Sequence, residues 1–359
     1  MKDIKNKFLI WAKKHKKPLL IVSGVVFFAL IGAITVFALA SQKQPEPEPE
    51  EKPPVVKVEP KPVIYHSPLT GNVVANEEAT KQIATAIMIE NSPDARPHSG
   101  LKDSGVVFEA IAEGGITRFL VLYQEQKPAL VGPVRSLRMY YLDWAAAFDA
   151  SIAHIGGSAS SLQEVRNGNY KDIDQFFNPV AYWRATDRYA PHNVYTNFEK
   201  IDALNQQKGF TTSSFTGFER KDSNKAETPT ATSINVNISG PLYNSAYIYN
   251  AETNTYDRSQ GGAPHLDREA GQISPRVVIV MNVTEQRVLE DGWREQINTV
   301  GEGDVTIFQD GTVVSGKWSK ASRTEQVKFT DAEGKVIPLA RGQTWLTALP
   351  THNGSLTWQ

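Results

Sequence analysis

The stretch from Glu90 to Ser158 alternates short apolar runs with turns crowded with Glu, Asp, Arg, His and Gly. Few architectures accommodate that pattern. Runs such as VVFEAIAE and ITRFLVLY are apolar almost throughout and look like the buried strands of a sheet. The polar turns then fall where the strands end. Charge is thereby gathered at one place on an apolar scaffold, which is how binding and catalytic sites are usually built.

Read in order, ATAIMIEN is a first strand ending at Glu90 and Asn91, and SPDARPHSGLKDSG is a loop carrying Asp94, Arg96, His98 and Asp103. Gly105–Ala112 and Ile116–Tyr123 form the next two strands. The Glu113-Gly114-Gly115 connection between them predicts a hairpin, because glycine takes up positive φ without steric cost. Ser136 is the expected N-cap of a helix whose buried positions are Leu137, Tyr140 or Tyr141, Trp144 and Phe148. That aromatic stripe is read as core. Ser151–Ile155 is a fourth strand. Gly156-Gly157-Ser158 opens a short helix, in which Ser161 and Glu164 fit a capping box and Asn167-Gly168 a stop. A glycine turn feeding a helix N-terminus offers backbone N–H groups to an anion, although HIGGS matches no phosphate-loop pattern.

The 359 residues suffice for a membrane segment and two domains. A formal net charge of -1 gives no basic field, which argues against general nucleic-acid binding. With no cysteine there are no disulfides, thiolate metal sites or cysteine nucleophile. Residues 1–17 form a lysine-rich head and residues 18–41 an uncharged run. That run exceeds the roughly 20 apolar residues that span a bilayer. The lysines place the head in the cytoplasm and everything after residue 41 outside, as a single-pass protein of the cell membrane. The long head and run favour a retained anchor over a cleaved signal peptide, for which Ala38-Leu39-Ala40 supplies a small-x-small site. Residues 42–66, rich in Pro and Glu, read as an extended stalk.

A mixed α/β (α+β) domain is expected over 67–215, a polar linker over 216–230, a β-rich domain over 231–350 and a tail over 351–359. In the second domain, evenly spaced strands such as VVIVMNV, DVTIFQ and TVVSGKW argue for an antiparallel sheet or small barrel. Its chemically dense loop runs from Arg258 to Asp267. There His265 and Asp267 are placed to polarise one another or hold a cation, but no second histidine lies at metal spacing, so no metal is called for.

The segments MIENSPDARPHSGL, VFEAIAEGGITRFL, GPVRS, HIGGS and DRYAPHN together resemble the YerB-like envelope lipoproteins, a bacterial family carrying a domain of unknown function. The resemblance spans most of the part after residue 66. It implies a mixed α/β domain followed by a β-rich one, and brings no established activity, cofactor or catalytic residue. The lipoprotein pattern is not kept, because without cysteine there is no acylation site and an apolar helix stands in its place.

The candidate ligand-binding set is Glu90, Asn91, Arg96, Arg118, Arg135, Ser136, Arg138, Gly156, Gly157, Ser158, Arg188, His192, Asn193, His265 and Asp267, with Glu113 and His154 as candidate acid–base groups. Arginines beside carboxylates at strand ends are either ion pairs that fix loops or forks for a phosphate or carboxylate. Three functions follow. One is an envelope binding module for an anionic wall or glycan ligand or a partner protein. Another is a hydrolase or transferase using Glu113 and His154 with arginine clamps. The third is a scaffold of the cell-wall machinery.

Overall fold

The computed structural model describes residues 2–14, 29, 32–33, 62–287 and 294–359. Lys2–Lys14 is a helix, α1, in a unit of its own, and residues 63–359 form one compact body. All but residues 29 and 32–33 of the predicted span at 18–41, and most of the stalk, lie outside the described residues. Among those described, no helix is long and apolar enough to cross a membrane.

The body is built on a mixed ten-stranded sheet. In chain order its strands are β1 Thr85–Glu90, β2 Val106–Glu113, β3 Ile116–Tyr123, β4 Ser151–Ala153 and β5 Lys171–Asp172. A five-stranded antiparallel sheet then takes β6 Ser233–Asn237, β7 Ser245–Asn250, β8 Thr255–Gln260 and β9 Ala263–Pro264. The chain returns to the main sheet with β10 Val277–Val283 and makes a small hairpin of β11 Glu285–Arg287 and β12 Glu295–Ile297. It ends with β13 Gly301–Gln309, β14 Thr312–Lys320, β15 Lys328–Thr330, β16 Thr344–Pro350 and β17 Ser355–Trp358, the last an edge of the five-stranded sheet. The main sheet runs β15-β14-β13-β10-β16-β2-β3-β1-β4-β5. The helices of the body are α2 Glu77–Thr80, α3 Met139–Ala146, α4 Ala159–Asn167 and α5 Phe198–Gln207.

The uninterrupted apolar runs are explained by two cores. Ala86, Met88, Phe108, Leu120 and Ile279 join the α3 aromatics on one face of the sheet. Their neighbours Ile87, Val107, Phe119, Val121 and Val278 pack with Ile234, Val236, Tyr247 and Tyr256 of the five-stranded sheet on the other. Alternate residues point to opposite faces, so a strand covered on both sides is apolar at every position. Helix α3 is likewise buried around much of its circumference, with Trp144 stacked on Phe108 at 5.1 Å.

Several local expectations change. The antiparallel pairing expected of the second half holds for β6–β9 with β17 and for β10 with β13–β15, but not as a separate sheet or barrel. Strand β16 inserts between β10 and β2 and runs parallel to both, so strands from both halves share one sheet. Spacing between hairpins reads local pairing and carries no signal for such an insertion. Arg138, not Ser136, occupies the N-cap of α3, and it makes no side-chain cap. Ser158, not Ser161, caps α4, its Oγ accepting from Ser161 N, and Gly168 closes that helix. Residues 220–221 pair with 339–340, and residues 355–358 are strand β17.

Candidate functional site

Strands β1, β2, β4, β10 and β16 all point the same way, which follows from their pairings. Glu90, Glu113 and His154 therefore fall at one end of the sheet, at or just beyond the carboxyl ends of their strands, and Arg118, near the start of the antiparallel β3, joins them. Ligands of open sheets gather at such ends.

Glu113 owes its place to one extra residue. Between Ile111 and Glu113 the register with β3 slips, and Glu113 pairs with Ile116 across a two-residue turn in which Gly114 and Gly115 have φ of 57° and 79°. Both values are those of the hairpin turn that matches strand twist. Without the bulge, alternation would send Glu113 to the face of Val107, Glu109 and Ile111. With it, Glu113 turns to the α3 face. There Oε1 accepts from Arg118 at 2.6 Å and Oε2 from Arg138 at 2.5 Å. Burial opposes ionisation of Glu113, but the two arginines outweigh it and hold the carboxyl below its ordinary range. Burial also opposes the charge of Arg118, and Glu113 more than offsets it.

Arg138 opens onto a cavity of about 680 Å³. Its walls are Arg138, Tyr140 and Asp143 of α3 with its cap, Ser158 to Ser160 at the start of α4, the segment 294–300 and Arg323. Three arginines there (138, 294 and 323) face two carboxylates, Asp143 and Glu295. The first turn of a helix leaves N–H groups without intrahelical partners. Ser158 Oγ takes up that of Ser161, and the two residues between, Ala159 and Ser160, line the cavity. Arg323 Nε is held by Asp143 at 2.6 Å and Nη1 by Glu164 at 2.5 Å, while Thr299 donates to Asp143. The loop carrying Arg323 is fixed from beneath by buried Lys320, whose ammonium donates to the carbonyls of Ser322, Arg323 and Glu325. At the rear, burial and the neighbouring Glu295 push the carboxyl of Glu285 up to about 8.

A second group lies about Glu90. Its Oε1 accepts from Ser92 Oγ at 3.0 Å and meets His192 Nδ1 at 2.9 Å, with Arg135 Nε at 3.4 Å. Ser92, His192 and a carboxylate are the residue types of a hydrolytic triad. Ser92 Oγ, however, also meets Nδ1, at 3.2 Å, so hydroxyl and carboxylate share one ring nitrogen and no relay passes through the ring.

The remaining candidates are held by the fold. His154 is fully buried, with Nδ1 on Gly156 O and Nε2 on Asp172. Gly156 N donates to Asp174, and Gly157 bridges Leu137. Ser136 gives its carbonyl to Arg118. Asn91 donates to Thr117 and accepts from Arg96, which lies over the Tyr243 ring. Arg188 donates to the carbonyls of Asp94 and Pro97, and Asn193 accepts from Arg184. The expected His265–Asp267 couple is absent. Asp267 accepts from the amides of Lys102, Glu269 and Ala270, whereas His265 meets Arg258 and, at 3.1 Å, His98. Both imidazoles are kept neutral by burial first and by nearby arginines next, with His98 pushed down to about 3. Glu113, Arg135 and His154 thus belong to separate groups, held by Arg118 and Arg138, by Glu90, and by Gly156 O and Asp172 respectively. Of the candidate set, Arg138 and Ser158 line the cavity of about 680 Å³, with Glu113 and Arg118 behind Arg138.

Asp143, Arg294 and Arg323 were not singled out from sequence. Nor was the buried ion pair of Glu109 with Arg258, at 2.8 Å between the two sheets, to which Trp345 Nε1 adds a bond at 3.0 Å. Arg258 opens the dense loop read from the sequence. Glu109, a charge inside the apolar run VVFEAIAE, was the available signal for its partner.

A mixed, sheet-rich fold of two sequence domains, with a charged cavity at the carboxyl ends of its strands, defines the class. The chain belongs to the DUF3048 family of proteins of unknown function: the family's N-terminal domain matches residues 69–211 and its C-terminal domain residues 234–346. It is 31% identical over 290 residues to the "Putative lipoprotein YerB" of Bacillus subtilis (strain 168), covering 79% of this chain and 86% of that protein. The crystal structure of YerB protein from Bacillus subtilis superposes with a TM-score of 0.72 at 28% identity, over 82% of this chain and 99% of that one.

Proposed function

We propose that the protein is a membrane-anchored, extracytoplasmic binding module of the cell envelope, and that its ligand is an anionic wall component or glycan held in the cavity between α3, the start of α4 and Arg323. The observation that carries this reading is the lining of that cavity: Arg138, Arg294 and Arg323 stand around it beside the start of α4. Hydroxyls from Ser158, Ser160 and Thr299 supply directed contacts of the kind a polyol ligand needs. The envelope location rests on the basic head and apolar run of the sequence and on the lipoprotein description of the relative. A nucleophile with its own base is missing from this cavity among the described residues, which favours binding over turnover.

The test is calorimetric titration of the body, residues 62–359, with phosphate- or carboxylate-bearing wall fragments. Binding should weaken at least tenfold in Arg323→Ala and remain unchanged in Arg135→Ala, which belongs to the Glu90 group. Equal loss in both variants, or no heat with any fragment, refutes the assignment.

A further inference from the structure

The turn after β5 shows two phenyl rings to solvent. Phe176 is 65% and Phe177 67% exposed, and Val180, at the start of the next short helical turn, is 77% exposed. Isolated exposed apolar residues need no explanation, but three within five positions do. Nor does the turn owe their exposure to looseness. Asp174, fully buried, ties it down from beneath. Its Oδ1 accepts from Gly156 N and Phe176 N, Oδ2 from Arg166 Nη2 at 2.8 Å, and its carbonyl from the backbone and side-chain amides of Asn178. The ring of Phe176 is backed by Gly156, where an added Cβ would come within 3.2 Å of it. Phe177 lies under the Arg166 guanidinium at 4.9 Å. A buried carboxylate thus fixes a turn that presents aromatic surface outward.

Two cations follow the turn. Lys200 donates to the Val180 carbonyl, and Arg184, four residues beyond Val180, donates to Asn193. Neither forms an ion pair among the described residues. Apolar side chains rigidly displayed beside Lys200, whose ammonium reaches the turn at the Val180 carbonyl, match the interface of an anionic bilayer, where rings enter the headgroup region and cations meet phosphate.

We propose that the 175–180 turn is a docking surface for an anionic lipid bilayer. It goes beyond ligand binding in the cavity and shares with that reading only the envelope location. Two rings alone give weak, reversible attachment. A tether changes that, because the 21 residues from 42 to 62 span at most about 75 Å fully extended. Chain anchored at 18–41 holds the body at high effective concentration beside the bilayer, so a weak surface suffices.

The experiment is co-sedimentation of the body, residues 62–359, with vesicles of phosphatidylcholine alone and with 30% phosphatidylglycerol. Wild type should partition onto the anionic vesicles and hardly onto the neutral ones. Phe176→Ser with Phe177→Ser should lower partitioning roughly tenfold or more, with near-UV circular dichroism and melting unchanged. Lys200→Glu should remove the preference for anionic lipid while leaving the fold intact. Arg323→Ala should sediment as wild type does, which separates failure of this proposal from failure of the cavity assignment. Absence of wild-type partitioning overturns the proposal. So does partitioning indifferent to the two phenylalanines, or a phenylalanine-dependent dimer in vesicle-free solution. Equal retention by a soluble polyanion also overturns it.

Discussion

Glu109→Gln should destabilise the body by about 3–5 kcal/mol. Glu109 is 1% exposed and projects from β2, while Arg258, also 1% exposed, projects from β8 of the five-stranded sheet. Their contact at 2.8 Å joins the two sheets inside the core they share. Arg258 also donates to Tyr247 and Gln260, and its guanidinium lies 4.3 Å from the centre of the Trp345 ring. Removing the carboxylate charge leaves the guanidinium buried with neutral partners only, and the lost compensation costs more than the lost hydrogen bond. For a body of this size the expected fall in melting temperature is roughly 5–8 °C. Urea unfolding should show a lower midpoint with an unchanged slope. The double variant Glu109→Met with Arg258→Met should recover most of the loss, since an apolar pair leaves no charge unpaired. A cost below about 1 kcal/mol for Glu109→Gln, or a double variant no better than the single, would refute the claim that this pair pins the sheets.

Other consequences are simpler. Glu285 titrates near 8 in the fold against an ordinary value near 4.5, so its contribution to stability is intact below about pH 4.5 and is lost as pH rises toward 8. Allowing for its partial exposure, Glu285→Gln should gain about 1–2 kcal/mol over wild type at pH 8 and almost nothing at pH 4.5, measured by urea midpoints across that range. Ser158→Ala removes the α4 cap and should cost about 1 kcal/mol, with ligand affinity falling further because the same turn lines the cavity.

The strands were legible because burial on both faces leaves an unmistakable trace: Ile116–Tyr123 was read to the residue, and β1 and β2 to within a residue or two. The hairpin at Gly114-Gly115 and the polar loop after Glu90 could be read for the same local reason. What sequence order hides is assembly. Strand β16 lies beside β2 although more than 200 residues separate them, and no local pattern announces that contact. The candidate site divides likewise. Glu113, Arg118 and Arg138 were visible as charges at strand ends and do come together. Arg323 and Asp143 meet across 180 positions, and each looks like an ordinary surface charge in its own segment. His154 and His265 drew attention as chemistry, yet each is fully or almost fully buried and satisfied within the fold.

The central claim concerns one cavity, and a crystal structure of the body soaked with a phosphate-bearing wall fragment tests it most directly. The account predicts the anionic group within hydrogen-bond distance of Arg323 and the Ser158–Ser160 turn. Ligand bound at the Glu90 group instead, or an empty cavity at a concentration that saturates calorimetric binding, would contradict it.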